Sequence, residues 1–182
     1  MNIFHVDVTG DACAMAQCDS HVVKMPVETA QMCSTAMHMR GVDTDEVPGL
    51  YKPCYEYPPM NVWVRETDEN LWWTIRHGLD LCREYNYRYG KIHSSRAVLM
   101  TCFYYMLDYY NDAPNTMHYS TEPPQCMPDE FKHVDHIEAY REFYRVDKAH
   151  IHRWTRRQPP SWLHQITTTQ KGSTNAYTTT SQ

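Results

Sequence analysis

The sequence lacks any run of about 18 consecutive apolar residues, the length that a membrane-spanning helix requires. Its first residues, MNIFHVDVTGD, also lack the basic segment and long apolar run of a secretory signal. CxxC pairs are absent, and an odd number of cysteines, 7, cannot pair completely within one chain. These absences argue against membrane insertion, secretion and a disulfide framework, so we expect a reduced, cytoplasmic protein without a membrane partner.

Several catalytic signatures are also missing. The chain has no glycine-rich phosphate loop, no nucleophile elbow and no HExxH motif. His133 and His136, spaced i and i+3, could face one metal ion, but a metal site normally needs a third ligand, and the sequence gives no position for one. We therefore predict no metal site and no cofactor.

The net charge of −5 weakens the case for binding duplex DNA, because such binding depends on neutralising phosphates. The charge is unevenly distributed, however. Residues 1–66 carry more acidic than basic side chains, whereas residues 132–157 carry more basic ones. A local basic face is therefore compatible with the sequence.

Helical periodicity and the absence of strand-rich stretches predict a mainly α fold. A chain of 182 residues with 42% hydrophobic content can bury one ordinary core, so we expect a single compact helical domain over residues 1–166. Long Pro-rich loops are predicted at 40–62 and 113–130, and a disordered tail at 167–182. Four helices are predicted, at 11–38, 68–89, 95–110 and 135–157. The first should have a kink at Pro26 or restart near Ser20, and the second should end at Gly90. The third is apolar nearly all round and is therefore expected to be central.

Polar side chains recur every three or four residues in the segment SHVVKMPVETAQMCSTAMH, on the face opposite its apolar residues. They are His21, Lys24, Glu28, Gln31, Thr35 and His38. A stripe that mixes these residue types indicates a candidate site wall, and a solvated helix face is the alternative interpretation. Within the stripe Glu28 is the best-placed candidate for a general base or an electrostatic stabiliser, with His21 and Lys24 beside it.

A second cluster lies in YNYRYGKIH, where a predicted helix ends. Phosphate recognition favours the forked guanidinium of Arg88 and the point charge of Lys91, with His93 nearby, and the ring of Tyr87 is suited to stacking on a base. Cations in the last turn of a helix are also what the helix dipole favours, which is the alternative interpretation. Further phosphate contacts are predicted on the last helix, at Arg141 and Lys148.

The chain resembles a widespread phage protein family without an assigned function over nearly its whole length, to about Leu163. The residues that carry the resemblance are MNIF, CDSHVVKMPVETAQMCSTA, VWVRET, YRYGKIHSS, CMPDEF, EAYREFYRVDKA and RRQPPSWL. Pro26 departs from the pattern, which has an ordinary apolar helix residue there.

About a third of the chain also resembles the pyrimidine-dimer DNA glycosylases, which are small all-helical repair enzymes. The separation of His21 from Glu28 and the segment RRQPPSWL, with Arg157, Pro160 and Trp162, carry this resemblance. It implies a catalytic glutamate at Glu28 and a nucleophilic amine on residue 2 after removal of Met1. Residue 2 is Asn here, whose size disfavours that removal, so the amine does not carry over.

Our leading hypothesis is a phage-encoded enzyme that acts on a nucleobase or nucleotide in the host cytoplasm. Its leading form is a DNA N-glycosylase-like hydrolase or lyase with Glu28 as acid or base, and DNA or a nucleotide is the expected partner. One alternative is an enzyme on free nucleotides or modified bases. Another is a non-catalytic phage protein that binds a host factor, with the polar stripe as its interface.

Overall fold

The computed structural model describes residues 1–43, 45, 47–112 and 120–164. This part of the chain is helical and compact and contains no strand, so the prediction of a mainly α fold is confirmed. The α-helices are α1 (Gly10–Ala16), α2 (Asp19–Met39), α3 (Pro59–Glu66), α4 (Asp68–Tyr89), α5 (Arg96–Asp112) and α6 (His136–Val146). Short 3-10 helices follow at Asp129–Phe131, Ala149–Ile151 and Ser161–His164. The predicted disordered tail at 167–182 lies outside the described residues.

Side-chain caps explain where several helices begin. The Thr67 hydroxyl accepts a hydrogen bond from the Asn70 nitrogen and caps α4, and the Asp135 carboxylate caps α6 in the same way. Gly90 ends α4 in a left-handed conformation, with φ 67°, which glycine adopts without strain. The predicted bounds of α4, 68–89, are therefore confirmed.

The first predicted helix is divided into α1 and α2, and the restart at Asp19 agrees with the expected restart near Ser20. Pro26 lies inside α2, which continues through it. A proline in a helix removes one backbone donor, and this one is buried in the core.

The core forms where α4 packs against α1, α2, α3 and α5. Gly78 lies at the closest approach, because a Cβ atom there would be 2.8 Å from a Leu99 methyl of α5 and 2.9 Å from the Thr29 methyl of α2. The expectation that α5 is central is wrong, because Tyr104 and Tyr109 on it are exposed. The central helices are α2 and α4, which also bury polar side chains, among them Thr29, Asn70 and Thr74.

The fourth predicted helix is too long. It ends at Val146 rather than Arg157, and the chain then crosses the start of α2. There the Asp19 nitrogen donates to the Arg153 carbonyl at 2.8 Å, and the Asp19 carboxylate accepts from the backbone nitrogen and the hydroxyl of Thr155. These tertiary hydrogen bonds replace helical ones, which a periodicity pattern does not register.

The N-terminal segment, residues 1–8, forms neither a helix nor a strand. Ile3, Phe4 and Val6 are buried in the core, and the Phe4 ring contacts Tyr144 of α6 edge-on at 5.3 Å. Residue 2 is thereby placed against α2. All seven cysteines are free thiols. In the part of the chain that the structure describes, no helix combines the length and apolarity needed to cross a membrane.

Replacing Gly78 by Val should destabilise the protein by about 1–3 kcal/mol, because the added methyl groups would overlap Leu99 and Thr29 in a packed core. Denaturant unfolding of the variant measures this free energy. Ala97→Val on the exposed face of α5 is the control and should cost well under about 1 kcal/mol. Equal effects of the two substitutions would contradict the close approach at Gly78.

Candidate functional site

The carboxylate of Glu28 lies beside the main-chain nitrogen of Asn2. Oε2 of Glu28 accepts a hydrogen bond from that nitrogen at 3.4 Å, and Oε1 pairs with the Lys24 ammonium at 2.7 Å. The Glu28 side chain is only 15% exposed, whereas that of Lys24 is 67% exposed. A carboxylate at the edge of the core, with one side open to the surface, is suited to acid-base chemistry on a bound molecule.

The side chain of Asn2 is fixed by residues far away in sequence. Its Nδ2 donates to the Cys126 carbonyl at 2.9 Å, and its Oδ1 accepts from the Tyr140 hydroxyl at 3.0 Å. Tyr140 is fully buried on α6. These contacts span more than a hundred residues of chain, so no local sequence signal identifies Tyr140 or Cys126 as supports of the site.

With Met1 in place, the nitrogen that faces Glu28 is an amide and not a nucleophilic amine. The Met1 side chain packs against the core, and its sulfur accepts a hydrogen bond from Asn61 Nδ2 at 3.7 Å. Chemistry at this position therefore has to come from the carboxylate and its neighbours.

His21 presents a neutral imidazole on the same face of α2. Its ring stacks on Phe4 at 4.3 Å, and its Nδ1 is 2.9 Å from the Tyr144 hydroxyl. That hydroxyl oxygen also accepts from the Cys18 nitrogen at 2.7 Å. Burial, with the charges of Lys148 and Lys24, lowers the pKa of His21 to about 4. At neutral pH the His21 imidazole is therefore uncharged and can form hydrogen bonds through both ring nitrogens.

Lys148 lies close enough to His21 for its charge to lower the imidazole pKa. Its ammonium is 4.6 Å from the centre of the Phe143 ring and pairs with Asp147 at 2.7 Å. Glu28 contacts Asn2 and Lys24, and the charges of Lys24 and Lys148 act on His21. We call this set the Glu28 site: Asn2, His21, Lys24, Glu28 and Lys148.

A surface cleft adjoins the Glu28 site. It has a volume of about 720 Å³, and Pro59, Lys132 and the segment 122–127 line it. Cys126 of this lining accepts the hydrogen bond from Asn2, which connects the cleft to the site. The cleft is open to solvent, and Glu28 is not among the residues that line it.

The rest of the polar stripe has a different role. Thr35 is buried and its hydroxyl bonds both the nitrogen and the carbonyl of Cys54 at 3.1 Å. His38 Nε2 bonds the Tyr51 carbonyl at 3.0 Å. The second half of α2 therefore holds the following loop and does not extend the Glu28 site.

Arg88 is not placed to bind a phosphate, which corrects that prediction. Its guanidinium is fully buried and pairs with Glu84 at 2.7 Å and Asp19 at 3.0 Å. Arg157 pairs with the other oxygen of Glu84 at 2.7 Å. His93 is likewise buried, and its ring nitrogens bond the Val23 carbonyl and the Ser95 nitrogen.

The remaining predicted contacts are only partly available. Arg141 donates to the Val6 carbonyl and pairs with Glu138 at 2.8 Å, so its guanidinium is largely used within the chain. Tyr87 and Lys91 are exposed at the end of α4. No hydrogen bond or ion pair among the described residues joins either of them to the Glu28 site.

A second group of titratable side chains, of which the sequence had indicated only His136, joins the N-terminal segment to α6. His136 Nδ1 is 2.5 Å from a Glu122 oxygen, and its Nε2 is 3.0 Å from His5 Nδ1. Burial, with the charges of His136 and His77, lowers the pKa of His5 to about 3. Within the described ranges no three His, Cys, Asp or Glu side chains are arranged to hold a metal ion.

We predict that stability falls as the pH drops from about 6.5 to 5. Burial lowers the pKa values of His21 and His77 to about 4 and that of His5 to about 3. As the pH falls, these histidines are protonated in the unfolded chain before they are protonated in the folded one, and this favours unfolding. Above about pH 6.5 each of these three histidines should make its full contribution to the free energy of unfolding. By pH 5 that contribution should have fallen by about 2 kcal/mol for each histidine. Urea unfolding at pH 7.5 and 5.0 measures the difference.

The control for this pH effect is a pair of substitutions. His77→Asn should remove about one third of the difference between the two pH values, whereas His164→Asn, at an exposed position, should leave it unchanged. An unchanged pH dependence in His77→Asn would show that His77 is not neutral in the folded protein.

Arg88→Ala should lower the free energy of unfolding by about 3–5 kcal/mol, because it leaves the buried Glu84 and Asp19 without their shared partner. Arg83→Ala on the same helix is the matched control. Its side chain is 75% exposed and its pair with Asp80 should contribute under about 1 kcal/mol. A loss of nucleic-acid binding in a stably folded Arg88→Ala variant would restore Arg88 as a phosphate contact.

No family model, curated protein or solved structure matches the chain. A proposal for its function therefore rests on the geometry of the chain's own residues.

Proposed function

We propose that this protein is an enzyme acting on a nucleobase or nucleotide, with hydrolysis of an N-glycosidic bond in DNA as its leading reaction. The observation that carries the proposal is the Glu28 carboxylate, which is mostly buried between the Asn2 nitrogen and the Lys24 ammonium and open to the surface on one side. The resemblance of the chain to pyrimidine-dimer glycosylases supports the same residue.

The reaction requires a carboxylate at this kind of position. As the C1′–N bond breaks, its electron pair goes to the base, which takes up a proton, and positive charge develops on the sugar. A nearby carboxylate stabilises that charge. It also accepts the proton of the water whose oxygen adds to C1′. Glu28 would perform both steps.

The neighbours of Glu28 have complementary roles in this proposal. His21 would form a hydrogen bond to the substrate through Nε2, since Tyr144 holds its other nitrogen. Lys24 and Lys148 would contact a phosphate group as point charges. Tyr87 and Lys91 remain proposed contacts for a longer strand, whereas Arg88 and His93 are withdrawn because both are buried.

A free nucleotide or modified base is the second candidate substrate. The charge balance favours it, because the chain has a net charge of −5 and several of its arginines pair with its own carboxylates. A small substrate with one phosphate needs only the two lysines of the Glu28 site. For either substrate, the resemblance to phage proteins supports a role in the cytoplasm of an infected cell.

The test compares the wild-type protein with Glu28→Gln and with Glu66→Gln, an exposed glutamate on α3. Labelled duplexes carrying ultraviolet lesions or modified pyrimidines are incubated with each protein, and abasic sites are measured. Loss of the carboxylate should reduce base release by about 10²–10⁴-fold, while Glu66→Gln should match the wild type.

Other outcomes separate the candidates. Base release from mononucleotides alone, again dependent on Glu28, would select the free-nucleotide enzyme. Absence of Glu28-dependent release from duplexes and mononucleotides would overturn the proposed chemistry. A biological effect that survives Glu28→Gln would then favour the non-catalytic, host-binding alternative.

A further inference from the structure

We propose that Tyr55 and Tyr57 form a stacking platform for an unpaired nucleobase of a DNA strand. We call residues 50–58 the tyrosine loop. This inference rests on the proposed function, because it assigns the part of the protein that would hold the strand beside the Glu28 site. Four features of the loop carry it: exposure, backbone strain, rigid support and position.

The two rings are exposed to an unusual degree. Tyr55 is 65% and Tyr57 is 82% exposed. Among the described residues, neither ring stacks on another aromatic ring or lies under a cation. Large aromatic side chains are ordinarily buried or half-buried, since each carries a large apolar area. Two such exposed rings in one short loop are typical of a binding surface.

The backbone of Tyr55 is in a strained conformation. Its φ is 50°, in the left-handed region that a bulky residue with a Cβ rarely adopts. Strain of this kind is unfavourable and persists only where surrounding contacts enforce it. A glycine would adopt this φ without strain. Because the position carries a tyrosine instead, we attribute the strained backbone to a requirement for the tyrosine side chain.

Buried polar groups enforce the shape of the loop. Asn61 Nδ2 donates to the Tyr55 carbonyl at 2.6 Å, and the Thr35 hydroxyl bonds both backbone groups of Cys54. The Arg65 guanidinium donates to the Glu56 carbonyl at 2.5 Å. Asn61 is 2% exposed and Thr35 is 1% exposed. The rings therefore project from a rigid support, which lowers the entropy lost when a ligand binds.

The tyrosine loop lies next to the Glu28 site. The Asn61 amide that holds the Tyr55 carbonyl also contacts the sulfur of Met1, the residue before Asn2. The loop leads directly into Pro59, which lines the 720 Å³ cleft together with Cys126, the hydrogen-bond partner of Asn2. A strand that crosses the loop would therefore reach the cleft and Glu28.

An unpaired base is the occupant that fits these features. Aromatic rings stack on bases of any sequence, but only where the bases are not already stacked inside a duplex. An enzyme that acts on a base must take it, or its neighbour, out of the stack. Lys52 on the loop is exposed and forms no ion pair with the described carboxylates, so its charge is available to a backbone phosphate.

The test measures binding of fluorescently labelled single-stranded oligothymidylate by anisotropy, with an abasic oligonucleotide of the same length as the comparison. Tyr55→Ala and Tyr57→Ala should each weaken binding of oligothymidylate about 5- to 100-fold. Tyr55→Phe and Tyr57→Phe, which keep the ring, should bind within about twofold of the wild type. Tyr104→Ala, an exposed tyrosine on α5, is the matched control and should bind as the wild type does.

The abasic oligonucleotide should bind more weakly and should not respond to the alanine substitutions, since it offers no base to stack. The platform is overturned if the alanine variants bind oligothymidylate like the wild type, if both oligonucleotides respond equally, or if the wild-type protein binds neither. Thermal unfolding of each variant, expected near that of the wild type for exposed side chains, verifies that the fold is kept.

Glu28→Gln separates this inference from the proposed function. Tyrosine-dependent binding without base release by any variant would support the platform and overturn the catalytic role of Glu28. Glu28-dependent base release with unchanged binding in the alanine variants would do the reverse.

Discussion

The fold depends on one buried ion-pair network. Arg88, at the end of α4, is completely enclosed and bridges Glu84 on its own helix to Asp19 at the start of α2. Arg157 completes the charge balance from the C-terminal segment. A buried charge that loses its partner costs several kcal/mol, so these contacts fix the mutual position of three parts of the chain. The first turns of α2, which carry His21, Lys24 and Glu28, start from this point.

Two tyrosines of α6 then fix the contents of the Glu28 site. Tyr140 holds the side chain of Asn2, and Tyr144 forms a hydrogen bond with the His21 ring while it accepts from the Cys18 nitrogen. Both phenols are buried, and burial raises their pKa values above the usual value for tyrosine, so each remains a neutral hydroxyl group that can donate. The α6 helix therefore acts as the support of the site without contributing its own reactive group.

One helix connects the two proposed functional surfaces. The first half of α2 carries the Glu28 carboxylate, and its second half holds the tyrosine loop through Thr35 and His38. The polar stripe is thus divided between the proposed catalytic group and support of the tyrosine loop. Because an α-helix is stiff over this length, the separation between the carboxylate and the loop is set by the helix itself. This is the physical reason that the two proposals concern one continuous surface.

The sequence by itself determined the mainly α fold, the bounds of α4 and the grouping of His21, Lys24 and Glu28, because helical periodicity, capping residues and i, i+4 spacing are local properties. It did not determine that Arg88 and His93 are buried, that the last helix ends at Val146, or that Asn2 faces Glu28. Each of these depends on contacts between residues far apart in the chain, such as Arg88 with Asp19 and Tyr140 with Asn2. An exposed and a buried arginine have the same pattern in sequence. Only the tertiary structure, which supplies the partner charges, decided between them.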